Sequence, residues 1–296
     1  MRSGLPGRVI ATRGRDCLVD VGEVDPWRCV SAGLVAVVGD RVEVSPSAGG
    51  GGRLVVVHPR TGVLRRFDPR GREEVLASHV GGLWIAVAAR DPAFWAGTVD
   101  RFLVGAASDG LVATVVLNKV DLGVPDDVEA ELASREAVGV RVHRVSVKTG
   151  EGMATLVEAA GQADGAVAVV GPSGAGKSSI ISALRPGEEE LKTAPISRAW
   201  GTGRHTTTGT TTFALPGGGE MLDAPGVRTF NPHIADPESL RRHFPGLSDL
   251  DCPWRDCLHR PGEQGCAAEH ADPRLVASYR RLLDDVQRVA KRARGW

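Results

Sequence analysis

Lysine is nearly absent from this chain. Only five of its 36 basic residues are lysines, and three of those, Lys119, Lys148 and Lys177, fall inside short turn-like motifs. Arginine is kept out of places where geometry demands a compact ammonium on a flexible stem. Net charge is missing as well: 36 basic and 36 acidic residues cancel, so there is no global electrostatic claim on nucleic acid and any RNA affinity must be local. No stretch approaches the roughly 18 consecutive apolar residues of a membrane span, and the opening MRSGLPGRVI has no secretory h-region. A cytoplasmic chain with no membrane partner is the expectation. Cysteine is sparse and odd in number, with Cys17 and Cys29 early and Cys252, Cys257 and Cys266 clustered late. In such a chain this favours a metal over disulfides.

What is present is enough apolar material, 42% of 296 residues, to fill two or three compact units. Residues 7–60 offer five short β-rich runs, GRVIAT, CLVDVG, WRCVSA, VAVVGDRVEV and RLVVVH, parted by Gly, Asp and Pro turns. That pattern predicts a small barrel of the OB-fold kind. The Gly-rich stretch 47–52 reads as a hairpin tip, and the charged span 61–74 as a tether with an exposed arginine loop. From Gly82 onward, apolar strands alternate with helices around 95–108 and 128–137, the βαβ rhythm of a mostly parallel sheet. The predicted organisation is therefore multidomain: residues 1–66 as an OB-fold barrel and the start of the tether, 67–232 as an α/β P-loop domain, and 233–296 as a small zinc-binding helical domain.

Chemistry is concentrated in a few short segments. GPSGAGKSS, comprising Gly171, Pro172, Ser173, Gly174, Ala175, Gly176, Lys177, Ser178 and Ser179, matches the full phosphate-loop pattern between a predicted strand and helix. Its glycines let backbone amides wrap phosphates, Lys177 reaches the β- and γ-phosphates, and Ser178 is placed to ligand Mg²⁺. NKVD, from Asn118 through Lys119 and Val120 to Asp121, follows an apolar strand and so emerges at the edge where open α/β sheets bind ligands. Asp121 can accept both guanine N1–H and N2–H, a donor pair that adenine lacks, which points to GTP. SVKTG, with Ser146 and Lys148, sits one strand later, where a short loop would pack on the base. DAPG supplies Asp223, which can hold Mg²⁺ through a water, and Gly226, whose amide faces the γ-phosphate.

Val227 follows that turn, and a valine cannot orient an attacking water. The upstream GRHTTTGTTT holds His205, the candidate to align that water or stabilise the transition state. It also holds Thr207, which could close on Mg²⁺ and the γ-phosphate. Further on, Cys252, Cys257, His259 and Cys266 form a Cys₃His set suited to tetrahedral Zn²⁺ in a structural role, with His270 as a weaker alternate. A final helix is predicted from its Asp272 N-cap and Pro273 N1 pair, with one apolar stripe of Leu275, Tyr279, Leu282, Leu283, Val286 and Ala290. Its other face carries Arg274, Arg280, Arg281, Arg288, Lys291, Arg292 and Arg294, a set that fits phosphate contact or a solvated face.

The order of these motifs is itself informative. NKVD precedes GPSGAGKSS and DAPG comes last, the cyclic order of a G domain with its start moved, which points to a circularly permuted GTPase. A P-loop kinase would leave NKVD unexplained. With its N-terminal barrel, NKVD before GPSGAGKSS, GRHTTT, DAPGVR and the Cys₃His knuckle, the chain resembles the ribosome small-subunit-dependent GTPase A family over nearly its full length. The segments REEVLASHV and VLNKVDL are also similar to that family; the gap from His259 to Cys266 is slightly longer than usual there. The resemblance implies a bacterial cytoplasmic GTPase that binds GTP and GDP, engages the small ribosomal subunit and its rRNA late in assembly, is stimulated by it, and leaves after hydrolysis. It also implies zinc at Cys252, Cys257, His259 and Cys266, and a catalytic role for His205, with Thr207 at the switch threonine. Nothing in the sequence calls for a dimer, and a monomer is expected.

Overall fold

The computed structural model describes residues 4–48, 50–67, 73–185, 211–216, 218–223, 234 and 236–293. In chain order the strands and helices are β1 (Leu5–Arg13), β2 (Asp16–Asp20), β3 (Trp27–Val30), β4 (Arg41–Pro46), β5 (Gly52–Val57), β6 (Leu64–Phe67), β7 (Glu73–Ala77), β8 (Val80–Ala88) and α1 (Ala96–Ser108). They continue as β9 (Ala113–Asn118), α2 (Asp126–Glu136), β10 (Arg141–Arg144), α3 (Met153–Gly161), β11 (Ala166–Val170), α4 (Lys177–Leu184), β12 (Thr211–Ala214), β13 (Glu220–Asp223), α5 (Pro237–His243) and α6 (Pro273–Ala293). The chain forms two compact units, each assembled from separated segments. The first comprises Met1–Gly82, Ala154–Val169 and Ser178–Phe230, and the second Leu83–Met153, Val170–Lys177 and Asn231–Trp296.

In the first unit, β1 to β5 make a closed barrel in the order β1-β2-β3-β5-β4, with β4 returning to β1. All pairings are antiparallel except β3 with β5. This is the five-stranded OB-type barrel that the spacing of short strands predicts. Alternate residues point inward, and Val9, Cys17, Val19, Cys29, Val42, Val44 and Leu54 fill the centre.

Two details differ from the sequence expectation. The run VAVVGDRVEV is not one strand: β4 starts only at Arg41, and residues 37–40 form a turn. Fully buried Asp40 organises it, accepting hydrogen bonds from Val37 N (2.8 Å), Arg60 Nε (2.7 Å) and Ser78 Oγ (2.7 Å). The supposed tether at 61–74 contains β6, which pairs antiparallel with β7 from Leu64↔Ala77 to Phe67↔Glu73. Buried Leu64, Leu76 and Ala77 give this hairpin an inner face, which its many charged residues conceal in the sequence. The same unit holds β11 parallel to β13, and β12 antiparallel to β13.

The second unit contains the parallel ladder β10-β9-β8. Its central strands are apolar on both faces, with Ile85, Val115, Val116 and Leu117 fully buried, as a sheet covered by helices requires. Asp236 caps α5 by accepting from Ser239 N (2.7 Å), with Pro237 in its first turn. Helix α6 begins at Pro273 after Asp272, and its predicted stripe is buried at Leu275, Tyr279, Leu282, Leu283 and Val286. The side chain of Ala290 lies outside the described residues. Val104 of α1 joins Leu240 of α5, Phe244 just after that helix and the α6 stripe in one core, where Phe244 meets Tyr279 edge-on at 5.4 Å.

Candidate functional site

The C-terminal ends of β8, β9 and β10 deliver three loops to one edge, where such sheets bind ligands. The loop after β9 is NKVD. Asn118, the last residue of β9, is 2% exposed. Its Oδ1 accepts from Lys119 N (2.8 Å) and Val147 N (3.4 Å), and its Nδ2 donates to the Ala175 carbonyl (3.1 Å). One amide thus ties the NKVD, SVKTG and phosphate loops together.

The next residue, Lys119, has φ 64°, the left-handed region that is uncommon for a residue with a side chain. Its ammonium donates to the Asp91 carbonyl. This turn starts the short 3₁₀ segment that carries Val120 and Asp121. Asp121 Oδ1 accepts from the buried Ser146 hydroxyl (2.7 Å), and its Oδ2 faces Lys148 Nζ at 3.7 Å. The carboxylate is therefore aimed by a neighbour in SVKTG, the loop that follows β10.

The phosphate loop follows β11. Gly171 has φ 132° and Gly176 φ 90°. A Cβ on Gly171 would sit 2.1 Å from the Ala86 carbonyl, and one on Gly176 would sit 2.2 Å from Asn118 Nδ2. Both positions need glycine for conformation and for room. Ala175 is fully buried, and Lys177 Nζ donates to the Gly171 and Pro172 carbonyls, each at 2.8 Å. The loop thus holds its ammonium against its own backbone, and Ser178 and Ser179 follow exposed in the first turn of α4. The last residue of β13 is Asp223; its side chain and Gly226 lie outside the described residues, as do His205 and Thr207.

Sequence reasoning missed the loop after β8. Arg90 Nε donates to the Gly123 carbonyl (3.1 Å), Asp91 receives Lys119, and Pro92 packs beside Gly174. These residues brace both the NKVD loop and the GPSGAGKSS loop. The available signal was a turn-forming Asp-Pro pair directly after a parallel strand.

A second cluster lies beyond α5. The ligand atoms of Cys252, Cys257, His259 and Cys266 fall within 4.8 Å of one another. His259 Nδ1 is 3.6, 3.5 and 3.3 Å from the three sulfurs in that order, and Cys266 Sγ is 4.0 Å from Cys252 and 3.6 Å from Cys257. A tetrahedral ion with bonds of about 2.0–2.3 Å sets its ligands about 3.5–3.8 Å apart, so the spacing fits such an ion. Burial pushes the Cys257 and Cys266 thiols up and the His259 imidazole down. A divalent cation reverses the cost for the sulfurs, and a neutral imidazole is the ligating form. Arg280 of α6 donates to the His259 carbonyl (2.9 Å), so this arginine steadies the knuckle from behind. Arg288 is paired with Asp285, and the side chains of Lys291 and Arg292 and all of Arg294 lie outside the described residues.

A strand-loop-helix phosphate cradle, bonded through Asn118 to an NKVD loop that precedes it in the chain, defines a circularly permuted P-loop GTPase. The model of the RsgA GTPase family matches residues 57–233, and the chain belongs to that family. The small ribosomal subunit biogenesis GTPase RsgA of Gemmatimonas aurantiaca is 36% identical, over 86% of this chain and 85% of its own length. Its counterpart in Chlorobaculum parvum is 34% identical, over 97% and 99%. The crystal structure of YjeQ from Thermotoga maritima superposes with a TM-score of 0.75 at 25% identity, covering 95% of this chain and 98% of that one. The structure of YloQ, described as a circularly permuted GTPase, gives 0.74 at 21% identity over 96% and 95%, a likeness of fold.

Proposed function

We propose that this GTPase acts in maturation of the small ribosomal subunit, is stimulated by that subunit, grips rRNA through its barrel and cysteine-rich knuckle, and leaves after hydrolysis. The observation that carries the nucleotide half is the single amide of Asn118, which bonds both the base-side loops and the phosphate loop. The printed names of relatives that align along most of this chain support the ribosomal half. In this reading residues 1–66, 67–232 and 233–296 serve as barrel, GTPase and zinc domains of a cytoplasmic monomer.

Asn118 to Asp121, with Ser146 and Lys148, read guanine, and Gly171 to Ser179 hold the phosphates. Mg²⁺ would be held by Ser178 and Thr207, with Asp223 acting through water, and it would neutralise charge on the phosphates. Lys177 exchanges its loop carbonyls for phosphate oxygens and stabilises charge that develops on the transferred group. His205 aligns the attacking water, and Gly226 faces the γ-phosphate. Zn²⁺ at Cys252, Cys257, His259 and Cys266 would staple a segment with little core of its own.

The test is GTP turnover by the purified protein with and without small subunits, with large subunits and ATP as controls. Stimulation by small subunits alone is expected; unchanged turnover would leave the GTP site standing and remove the ribosomal half.

A further inference from the structure

Strand β1 changes partners along its length. Over Leu5↔Val44 to Arg8↔Arg41 it closes the barrel against β4. That ladder ends at Arg8, and farther along Ala11 pairs with Thr211 of β12. At the changeover, Arg8 Nη2 donates to Glu220 Oε1 on β13. The barrel is therefore bonded at two points to the β12–β13 hairpin.

That hairpin is short and fully registered, from Thr211↔Asp223 to Ala214↔Glu220. In the chain it is preceded by GRHTTT, with His205 and Thr207, and followed by DAPG. Both segments join it at the end where Ala11 pairs, and Arg8 grips the other end. A four-residue strand pair has little freedom to bend, so a displacement of β1 shifts the hairpin as a unit.

We propose that Arg8 and Glu220 are positioning residues that couple the state of the barrel to the β12–β13 hairpin and, through the chain that continues from it, to GTP turnover. By linkage, whatever the barrel holds alters the hairpin, and the nucleotide alters the barrel by the same factor. Arg8 and Glu220 are each about one-third exposed, and Glu220 Oε2 is buried. Losing Arg8 leaves a half-desolvated carboxylate without its main partner.

This inference rests on the proposed ribosome-stimulated activity, so the experiment has two arms. In the first, Arg8→Met and Glu220→Gln are assayed with and without small subunits. Basal turnover is expected to stay within about twofold and stimulated turnover to fall about three- to tenfold, with the Arg8→Glu, Glu220→Arg double variant restoring most of it. Unchanged stimulation, or a fall of basal and stimulated rates together, overturns the coupling. The second arm needs no ribosome: amide exchange across residues 9–13 is compared between GDP and a non-hydrolysable GTP analogue. A difference that disappears in Glu220→Gln supports the coupling; no difference, or one that persists, overturns it. If small subunits fail to stimulate the parent protein, the ribosomal reading falls and the exchange arm decides the coupling alone.

Discussion

Asp100 and Arg135 meet as a bidentate ion pair from which water is wholly excluded: Arg135 Nε donates to Asp100 Oδ1 at 3.0 Å and Nη2 to Oδ2 at 2.6 Å, with neither side chain exposed. It fastens α1 to α2, and Arg135 also reaches Glu131 Oε2 at 2.7 Å. Removing one partner of such a pair costs about 3–5 kcal/mol, because the other stays buried and uncompensated. Arg135→Met is expected to lower urea stability by that amount, and replacing both residues by apolar ones to cost less. Burial raises the Asp100 carboxyl pKa while Arg135 pulls it down, so without Arg135 it rises further. Above the unfolded carboxylate value of about 3.9, the folded variant then binds more protons than the unfolded chain. Its deficit should therefore shrink as pH falls from 7 toward that value. A deficit independent of pH would show that Asp100 is not the group left stranded.

Gly176→Ala forces a Cβ to within 2.2 Å of Asn118 Nδ2 at a φ of 90°. A strain of about 1–3 kcal/mol would weaken binding of fluorescent GTP and GDP by about 5- to 150-fold. Asn118→Ala should do the same without the strain, by releasing Ala175 and Val147. Retention of affinity in both variants would mean that the shared amide does not organise the site.

His205→Ala is expected to leave GTP affinity intact while removing subunit-stimulated turnover, about a hundredfold effect for a group that positions water. Stimulated turnover within about twofold of the parent would discard the assignment.

Metal analysis of the purified chain should find one zinc per molecule. Chelation or Cys257→Ser should lower the thermal midpoint and raise protease sensitivity near residues 250–270. A chain without metal and with unchanged stability under chelation would make the cluster a packing feature.

Much of this was legible beforehand because it is local. Phosphate-loop glycines, a turn after an apolar strand, and ligands close in sequence declare themselves by spacing alone. The rest depends on partners far along the chain. Arg135 and Asp100 read as ordinary helix-surface charges until α1 and α2 are packed. Residues 35–44 read as one β-rich run, yet buried Asp40 bends the backbone there because Arg60 and Ser78 arrive to satisfy it. The hairpin of β6 and β7 reads as a tether in the sequence because charge outweighs Leu64 and Leu76 in any local window. SVKTG was faint for the opposite reason: Ser146 matters through Asp121, 25 residues earlier.

The join between β1 and the β12–β13 hairpin also sets a timetable. Arg8 and Glu220 are 212 residues apart, a span that takes about 10–40 s to synthesise at about 5–20 residues per second. The barrel has all five of its strands long before that. Until β12 emerges, the far half of β1 is an open strand edge in a crowded cell, the kind of surface on which chains aggregate. It ends in an exposed arginine, Arg13, a charge of the sort that blunts such edges. A nascent chain stalled before residue 211 would keep a finished barrel and an unfinished seam, so interrupted synthesis leaves bare an edge that the complete chain covers.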